Sequence, residues 1–222
     1  MSDAPALPET LAEALAERRA AFVAAAPAET QAIMARADAE LAAAFAARPG
    51  PNAGDVAPGF ALPSATGETV SLAAELAEGP AILTFYRGGW CPYCNLEMRA
   101  YQRLLPEIEA AGVRLVAISP QAPDGSLSTA EKNGLRFAVL SDAGSAVAKA
   151  YGVAFTLSDE LAALYAKFGN DLPKINGADD WTLPVPATFV IGRDGRIVLA
   201  HVETDYRHRL EPAAALAAAR GA

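Results

Sequence analysis

The first fifty residues carry apolar side chains at a helical period. Leu7, Leu11 and Leu15 recur four residues apart, with Phe22 near the same stripe, and Ile33, Ala37, Leu41 and Phe45 form a second stripe beside Met34. Pro27 separates the two, so the pattern predicts a helical hairpin over residues 1–47. "RPGPNAG" (48–54) cannot continue a helix and predicts a linker. From Asp55 the pattern shortens. "FALPSATGETVSL" holds strand-like segments around a glycine turn, and "AILTFY" (81–86) is a continuous apolar run that suits a buried strand. "PYCNLEMRAYQRLLPEIEAAG" (92–112) predicts a helix with Leu96, Leu104 and Ile108 turned inward, a kink at Pro106 and an end at Gly112. "VRLVAIS" (113–119) is the next strand, and strand–helix–strand in this order is a parallel βαβ crossover.

The remaining pattern adds a strand at 137–142, a helix at 145–153, and an amphipathic helix at 158–169 with Ser158 as N-cap. "ATFVI" and "RIVLAHV", joined by "GRDG", read as a hairpin, and "EPAAALAAAR" as a closing helix. Residues 55–222 are therefore expected to form one α/β domain behind the helical extension.

Composition changes this picture only in detail. Hydrophobic residues make up 52% and charged residues 20%, which describes a globular chain. A net charge of −8 offers no basic stripe for nucleic acid or an anionic membrane. No run approaches the ~18 apolar residues of a membrane span, and the acidic N-terminus lacks the basic head of a secretion signal, so a cytoplasmic location is expected.

In that compartment thiols stay reduced, which gives meaning to the two cysteines of the chain, Cys91 and Cys94. They stand two residues apart where a strand gives way to a helix. Unpaired N–H groups and the positive end of the dipole at a helix start stabilise a thiolate, and Pro92 suits the first helical position. Cys94 lies one turn inward on the same side, close enough to bridge. Zinc is the rival reading, but with His201 and His208 as the only histidines the spacing resembles no four-ligand site. Redox chemistry is the reading the residues favour, with inert packing of the thiols as the bland alternative.

The stretch from about residue 50 to 212 resembles peroxiredoxin-like proteins of the alkyl hydroperoxide reductase and thiol-specific antioxidant type, which share the thioredoxin fold. "GDVAPGFAL", "AILTFYRGGWCPYCNLE", "LVAISP", "FAVLSDAGSAVAKAYGV" and "VPATFVIGRDGRIV" carry the likeness in order. It implies a thioredoxin-like α/β fold with a central mixed sheet. In that register Cys94 takes the peroxidatic position and Glu97 matches. Arg87, Cys91 and Pro186 stand where the family has Pro, Thr or Ser, and a catalytic Arg.

Those departures are similar to thioredoxins, whose more N-terminal cysteine attacks and is preceded by an aromatic residue, here Trp90. The likeness predicts a cis peptide at Val185–Pro186 presenting the Val185 backbone to substrate. Two chemistries follow. Cys91 attacks a disulfide and Cys94 resolves the adduct, or one thiolate reduces a peroxide and the neighbouring thiol closes the bridge. Exchange is the better supported at this stage, thiol-dependent peroxide reduction second, and a non-catalytic binding module third. No cofactor or metal is expected; an external thiol reductant, a thioredoxin or glutathione system, would reopen the bridge. Arg87 could lower a thiol pKa, Gly88 and Gly89 permit a tight turn, and Trp181 covers the site or plugs the core. His201 and His208 read as structural, and Asp205, Tyr206 and Arg207 form a polar cluster without an assigned role. The hairpin's apolar face should cover the core or join two chains as a homodimer.

Overall fold

The computed structural model describes residues 10–47 and 50–222. Leu7 and part of the 48–54 linker lie outside them. Ahead of the central sheet, β1 (Ala61–Pro63) pairs antiparallel with β2 (Thr69–Ser71). Five strands form the central sheet: β3 (Ala81–Phe85), β4 (Arg114–Ser119), β5 (Ala138–Ser141), β8 (Ala187–Ile191) and β9 (Ile197–Val202). Their order is β5-β4-β3-β8-β9, with β3, β4 and β5 parallel and β8 and β9 antiparallel additions. This is the mixed sheet the resemblance implied, and β3 is buried at every position because both faces are covered.

Alternation along β3 sorts the core. Ile82 faces one layer with Met98, Tyr101, Ile108, Val190 and Leu216, while Leu83 and Phe85 face the other with Ile118, Tyr151 and Phe189. The first layer is roofed by α4 (Pro92–Ala110), which continues through Pro106, and by α9 (Pro212–Arg220). After α4 comes Gly112 in the left-handed region at φ 68°. The hairpin is α1 (Leu11–Ala25) and α2 (Ala28–Phe45). Leu11 and Leu15 join the core against α4, so the α1 stripe is buried within its own chain. Glu211 accepts from the backbone N–H of Ala12 at 2.8 Å and Leu11 at 3.3 Å, and Arg207 pairs with Asp38, tying both hairpin helices to the segment after β9.

Several elements lie where no pattern predicted them. These are α3 (Leu72–Glu78), α5 (Pro123–Asn133), α8 (Leu172–Asn176) and a two-stranded sheet of β6 (Ala154–Thr156) and β7 (Thr182–Pro184). α5 opens on Pro123 with Asp124 in its first turn, but it buries Ser126, Thr129 and Asn133, so it shows no apolar stripe. Two predicted helices are present at other lengths: α6 (Ala146–Ala150) stops before Gly152, and α7 (Asp159–Lys167) is capped by the Ser158 hydroxyl, which accepts from Leu161 N–H at 3.4 Å.

One expectation is corrected. Every described peptide bond is trans, including Val185–Pro186. The segment runs extended from β7 to β8, Val185 N–H donates to the Val153 carbonyl at 2.8 Å and the Pro186 carbonyl accepts from Glu203 N–H at 3.0 Å. Both bonds are made without inverting the peptide, and trans is the cheaper isomer by roughly 0.5–1 kcal/mol.

Candidate active site

The site is built where β3 hands over to α4. Residues 87–91 turn sharply between them, and the turn needs glycine twice. Gly88 has φ 143°, and a Cβ there would meet the Trp90 indole at 2.4 Å; a Cβ on Gly89 would meet Thr129 Oγ1 at 2.2 Å. Polar neighbours from two helices and a loop fix the turn. Asn95 Nδ2 donates to the Gly89 carbonyl at 2.8 Å, Asn133 Nδ2 holds Asn95 Oδ1 at 3.0 Å, and Gly89 N–H donates to Gln121 Oε1.

Cys91 is the N-cap of α4 and Pro92 its first residue, as the spacing predicted, and no acidic side chain in the first turn dilutes the positive helix end. Both cysteines are free thiols. Cys91 is 2% exposed and lines a cavity of about 280 Å³, whereas Cys94, 0% exposed, is sealed beneath it. The cavity wall is aromatic, with Trp90, Tyr165 and Tyr206 prominent, and its roof is the N-terminal extension through Arg18, Phe22 and Met34. The extension therefore covers the thiols as well as the core, a placement no local sequence signal gives.

Arg87 is buried at 3% exposure inside this wall. Its guanidinium lies 4.2 Å from the Tyr206 ring centre, 5.1 Å from Trp90 and 5.4 Å from Tyr165, and it donates to the Tyr165 hydroxyl. Burial disfavours its charge, but its ring and thiol neighbours more than restore it, so Arg87 stays cationic. On the far side, Arg209 Nη2 reaches Cys94 Sγ at 3.5 Å and Arg209 Nε pairs with Glu97 at 2.7 Å, both side chains 2% exposed or less. Thr84 donates to the other Glu97 oxygen at 3.4 Å.

These surroundings split the two thiols. Burial pushes Cys91 up, but the hydrogen bond from Cys94 and the charges of Arg87 and Arg209 outweigh it and hold Cys91 below the usual thiol range. Burial and that same neighbour push Cys94 well up. The arrangement thus contains an acidic thiol open to a cavity and a neutral thiol hydrogen-bonded to it.

Sequence reasoning named Arg87, Trp90, Pro92, Glu97 and both cysteines, and the structure brings all six together. Val185 and Pro186 instead line a smaller cleft on the opposite side of Arg87, shared with Met34, Asp38 and Phe155. The polar cluster finds its place: Tyr206 stacks on Arg87, and Arg207 is held by Asp38 and by Asp205 at 2.6 Å. Trp181 is partly buried against the Leu161–Leu172 cluster. Arg209 was missed. It stands in "TDYRHRLEP", more than a hundred residues from the cysteines, with no motif around it.

Glu97 gives a stability test. Burial, opposed by Arg209, raises its carboxyl to about 7, above the ~4.3 of an unfolded chain. Between those values the folded state binds the extra proton, so this group's contribution to stability is full below the unfolded value and is lost as pH rises through about 7. Glu97→Gln is therefore expected to flatten the fall in Tm between pH 5 and pH 8; an unchanged slope would show that Glu97 does not titrate there.

A mixed sheet carrying a close dithiol at the start of its longest central helix defines a thioredoxin-fold redox protein. The chain belongs to the AhpC/TSA family, whose model matches residues 53–200. A Mycobacterium tuberculosis protein named as a peroxiredoxin is 31% identical over 147 residues, covering 66% of this chain and 82% of that one. Thiol-disulfide oxidoreductase ResA of Halalkalibacterium halodurans is 28% identical over 158 residues, 71% of this chain and 72% of that protein. The crystal structure of peroxidoxin BcpB from M. tuberculosis superposes with a TM-score of 0.61 at 25% identity, covering 77% of this chain and 97% of that one. Like those relatives, the protein is a thiol-dependent oxidoreductase. Among the described residues no helix is long and apolar enough to cross a membrane, and no group of three or more His, Cys, Asp or Glu is placed to hold a metal.

Proposed function

We propose that this oxidoreductase is a peroxidase for small hydroperoxides in which Cys91 attacks. The Cys91 thiolate attacks the terminal peroxide oxygen: its S–O bond forms, the O–O bond breaks, and the leaving alkoxide or hydroxide takes a proton to depart as alcohol or water. Cys91 is then a sulfenic acid. The Cys94 sulfur attacks it, its proton leaves with the hydroxyl as water, and a Cys91–Cys94 disulfide results. An external thiol returns both sulfurs to the reduced state. The observation that carries this reading is the roof. Cys91 is 2% exposed and opens into a cavity of about 280 Å³ edged by Phe22 and Met34, which admits a two-oxygen electrophile more readily than a disulfide held on another protein's backbone.

Arg87 and Arg209 supply positive field on either side of the sulfurs, which supports departure of an oxyanion. A second reading, exchange with a small disulfide, is favoured by Cys91 being both the N-terminal and the more acidic thiol of the pair. The peroxidase reading takes precedence because burial limits the size of either substrate and the peroxide is the smaller.

The test compares substrates with dithiothreitol in excess. Dithiothreitol oxidation should accelerate with hydrogen peroxide and cumene hydroperoxide, and insulin disulfides should be reduced no faster than by dithiothreitol alone. Rapid insulin reduction without peroxide turnover would contradict the reading.

A further inference from the structure

A groove of about 700 Å³ runs between α1 and α4, on the outer side of the helix that carries the thiols. Its floor is apolar, with Ala14 and Leu96, and its rim holds Arg18, Arg99, Arg103 and Lys132 against a single carboxylate, Glu17. Four of the chain's eighteen basic side chains thus gather at one concavity of a molecule with net charge −8. Among the described residues none of the four makes an ion pair. Arg99 and Arg103 stand at i, i+4 on α4, where like charges repel, so helix stability does not explain them. Arg99 is further held in place by Asn133, whose Oδ1 accepts from it at 2.9 Å.

The groove adjoins the thiol cavity: Arg18 and Pro92 line both, so a ligand seated along α4 lies next to the opening over Cys91. The volume lies within the range of small-molecule sites, ~300–1,000 Å³.

We propose that this groove binds the reductant, and that the reductant is a small anionic thiol carrying more than one carboxylate. The inference rests on the peroxidase reading, which creates the Cys91–Cys94 disulfide to be opened. Carboxylates seated on Arg99, Arg103 and Lys132 hold the molecule while its thiolate attacks Cys91. The Cys91–Cys94 bond breaks, a mixed disulfide forms on Cys91, and Cys94 leaves as a thiolate that takes a proton. A second molecule's thiolate attacks the sulfur of the bound one and releases Cys91 as thiolate. Two small thiols are oxidised to one disulfide, and the protein disulfide is reduced to two thiols.

Glutathione is the probe, with its diethyl ester and 2-mercaptoethanol as thiols lacking the carboxylates. The test uses the full chain and the double variant Arg103→Glu/Lys132→Glu, neither position being part of the thiol site. Oxidation of the reduced enzyme by one equivalent of peroxide, followed by tryptophan fluorescence, should be the same in both. KM for glutathione should rise about tenfold or more in the variant, while rates with the ester and with 2-mercaptoethanol stay unchanged. The glutathione rate should also fall as salt increases from about 0.01 to about 1 M, over which the screening length drops from about 30 to about 3 Å. Equal losses with all three thiols, or no loss with any, would overturn the groove's role. Faster reduction by a thioredoxin with the same charge dependence would overturn the small-molecule assignment. Failure of the peroxide oxidation itself would strike the peroxidase reading instead.

Discussion

Cys91→Ser is expected to abolish peroxide-dependent thiol oxidation, a loss on the order of 10³-fold or more, because a neutral hydroxyl replaces the one thiolate open to the cavity. Cys94→Ser should behave differently. Its Cys91 still reacts with the first equivalent of peroxide, but the sulfenic acid has no neighbour to condense with and persists for trapping by dimedone. Serine keeps a hydroxyl donor beside Cys91, in the place of the Cys94 hydrogen bond that helps hold the Cys91 pKa down, so that first step should persist near neutrality. The family register places the attacking sulfur at Cys94, and the opposite outcome, with dimedone labelling Cys94 in Cys91→Ser at the wild-type rate, would return the chemistry to that position. The structure argues against it: Cys94 is sealed and its pKa lies well above the ordinary thiol value.

The second large effect is expected at Arg87. Arg87→Met keeps much of the side-chain volume inside the Trp90, Tyr165 and Tyr206 box but removes the charge beside Cys91. The thiol pKa should then rise. From a wild-type value of about 6, each unit of rise lowers the thiolate fraction about fivefold at pH 6 and about twofold at pH 7, so the rate with peroxide should drop several-fold, most at the acid end. Above pH 9, where the thiol ionises without help, variant and wild type should converge. A pH-independent loss would mean that Arg87 acts only by shaping the cavity, and no loss at all would remove it from the account. Iodoacetamide alkylation of Cys91 as a function of pH gives the same answer without turnover.

How much of this was legible in the sequence follows from the range of the interactions. The dithiol, the proline at the helix start and the two glycines are local, and each carries its chemistry within a few residues of the others. Strands β3, β4, β5 and β8 also announce themselves, since a strand covered on both faces must read as a continuous apolar run. Arg209 could not be found this way. It reaches Cys94 and Glu97 because the segment after β9 folds back across α4, and that juxtaposition is tertiary. The roof was half visible: Phe22 and Met34 were placed on apolar helical faces, but which surface those faces meet depends on Glu211 and Arg207 fastening the hairpin near the thiols. The cis peptide was expected from a Pro-before-strand likeness, and it is absent because the Val185 and Pro186 backbone groups already have partners in an extended trans segment. α5 was silent for a simpler reason, since a helix that buries Ser126, Thr129 and Asn133 shows no hydrophobic period.

One mass measurement reaches the centre of the account. The reduced protein is mixed with a single equivalent of hydrogen peroxide, quenched by alkylation and digested with trypsin, which releases residues 88–99 with both cysteines in one peptide. The account predicts that this peptide is lighter by two hydrogens and unalkylated, the signature of an internal Cys91–Cys94 bridge formed within one turnover. Recovery of the peptide with both thiols alkylated, while the peroxide remains unconsumed, would contradict it.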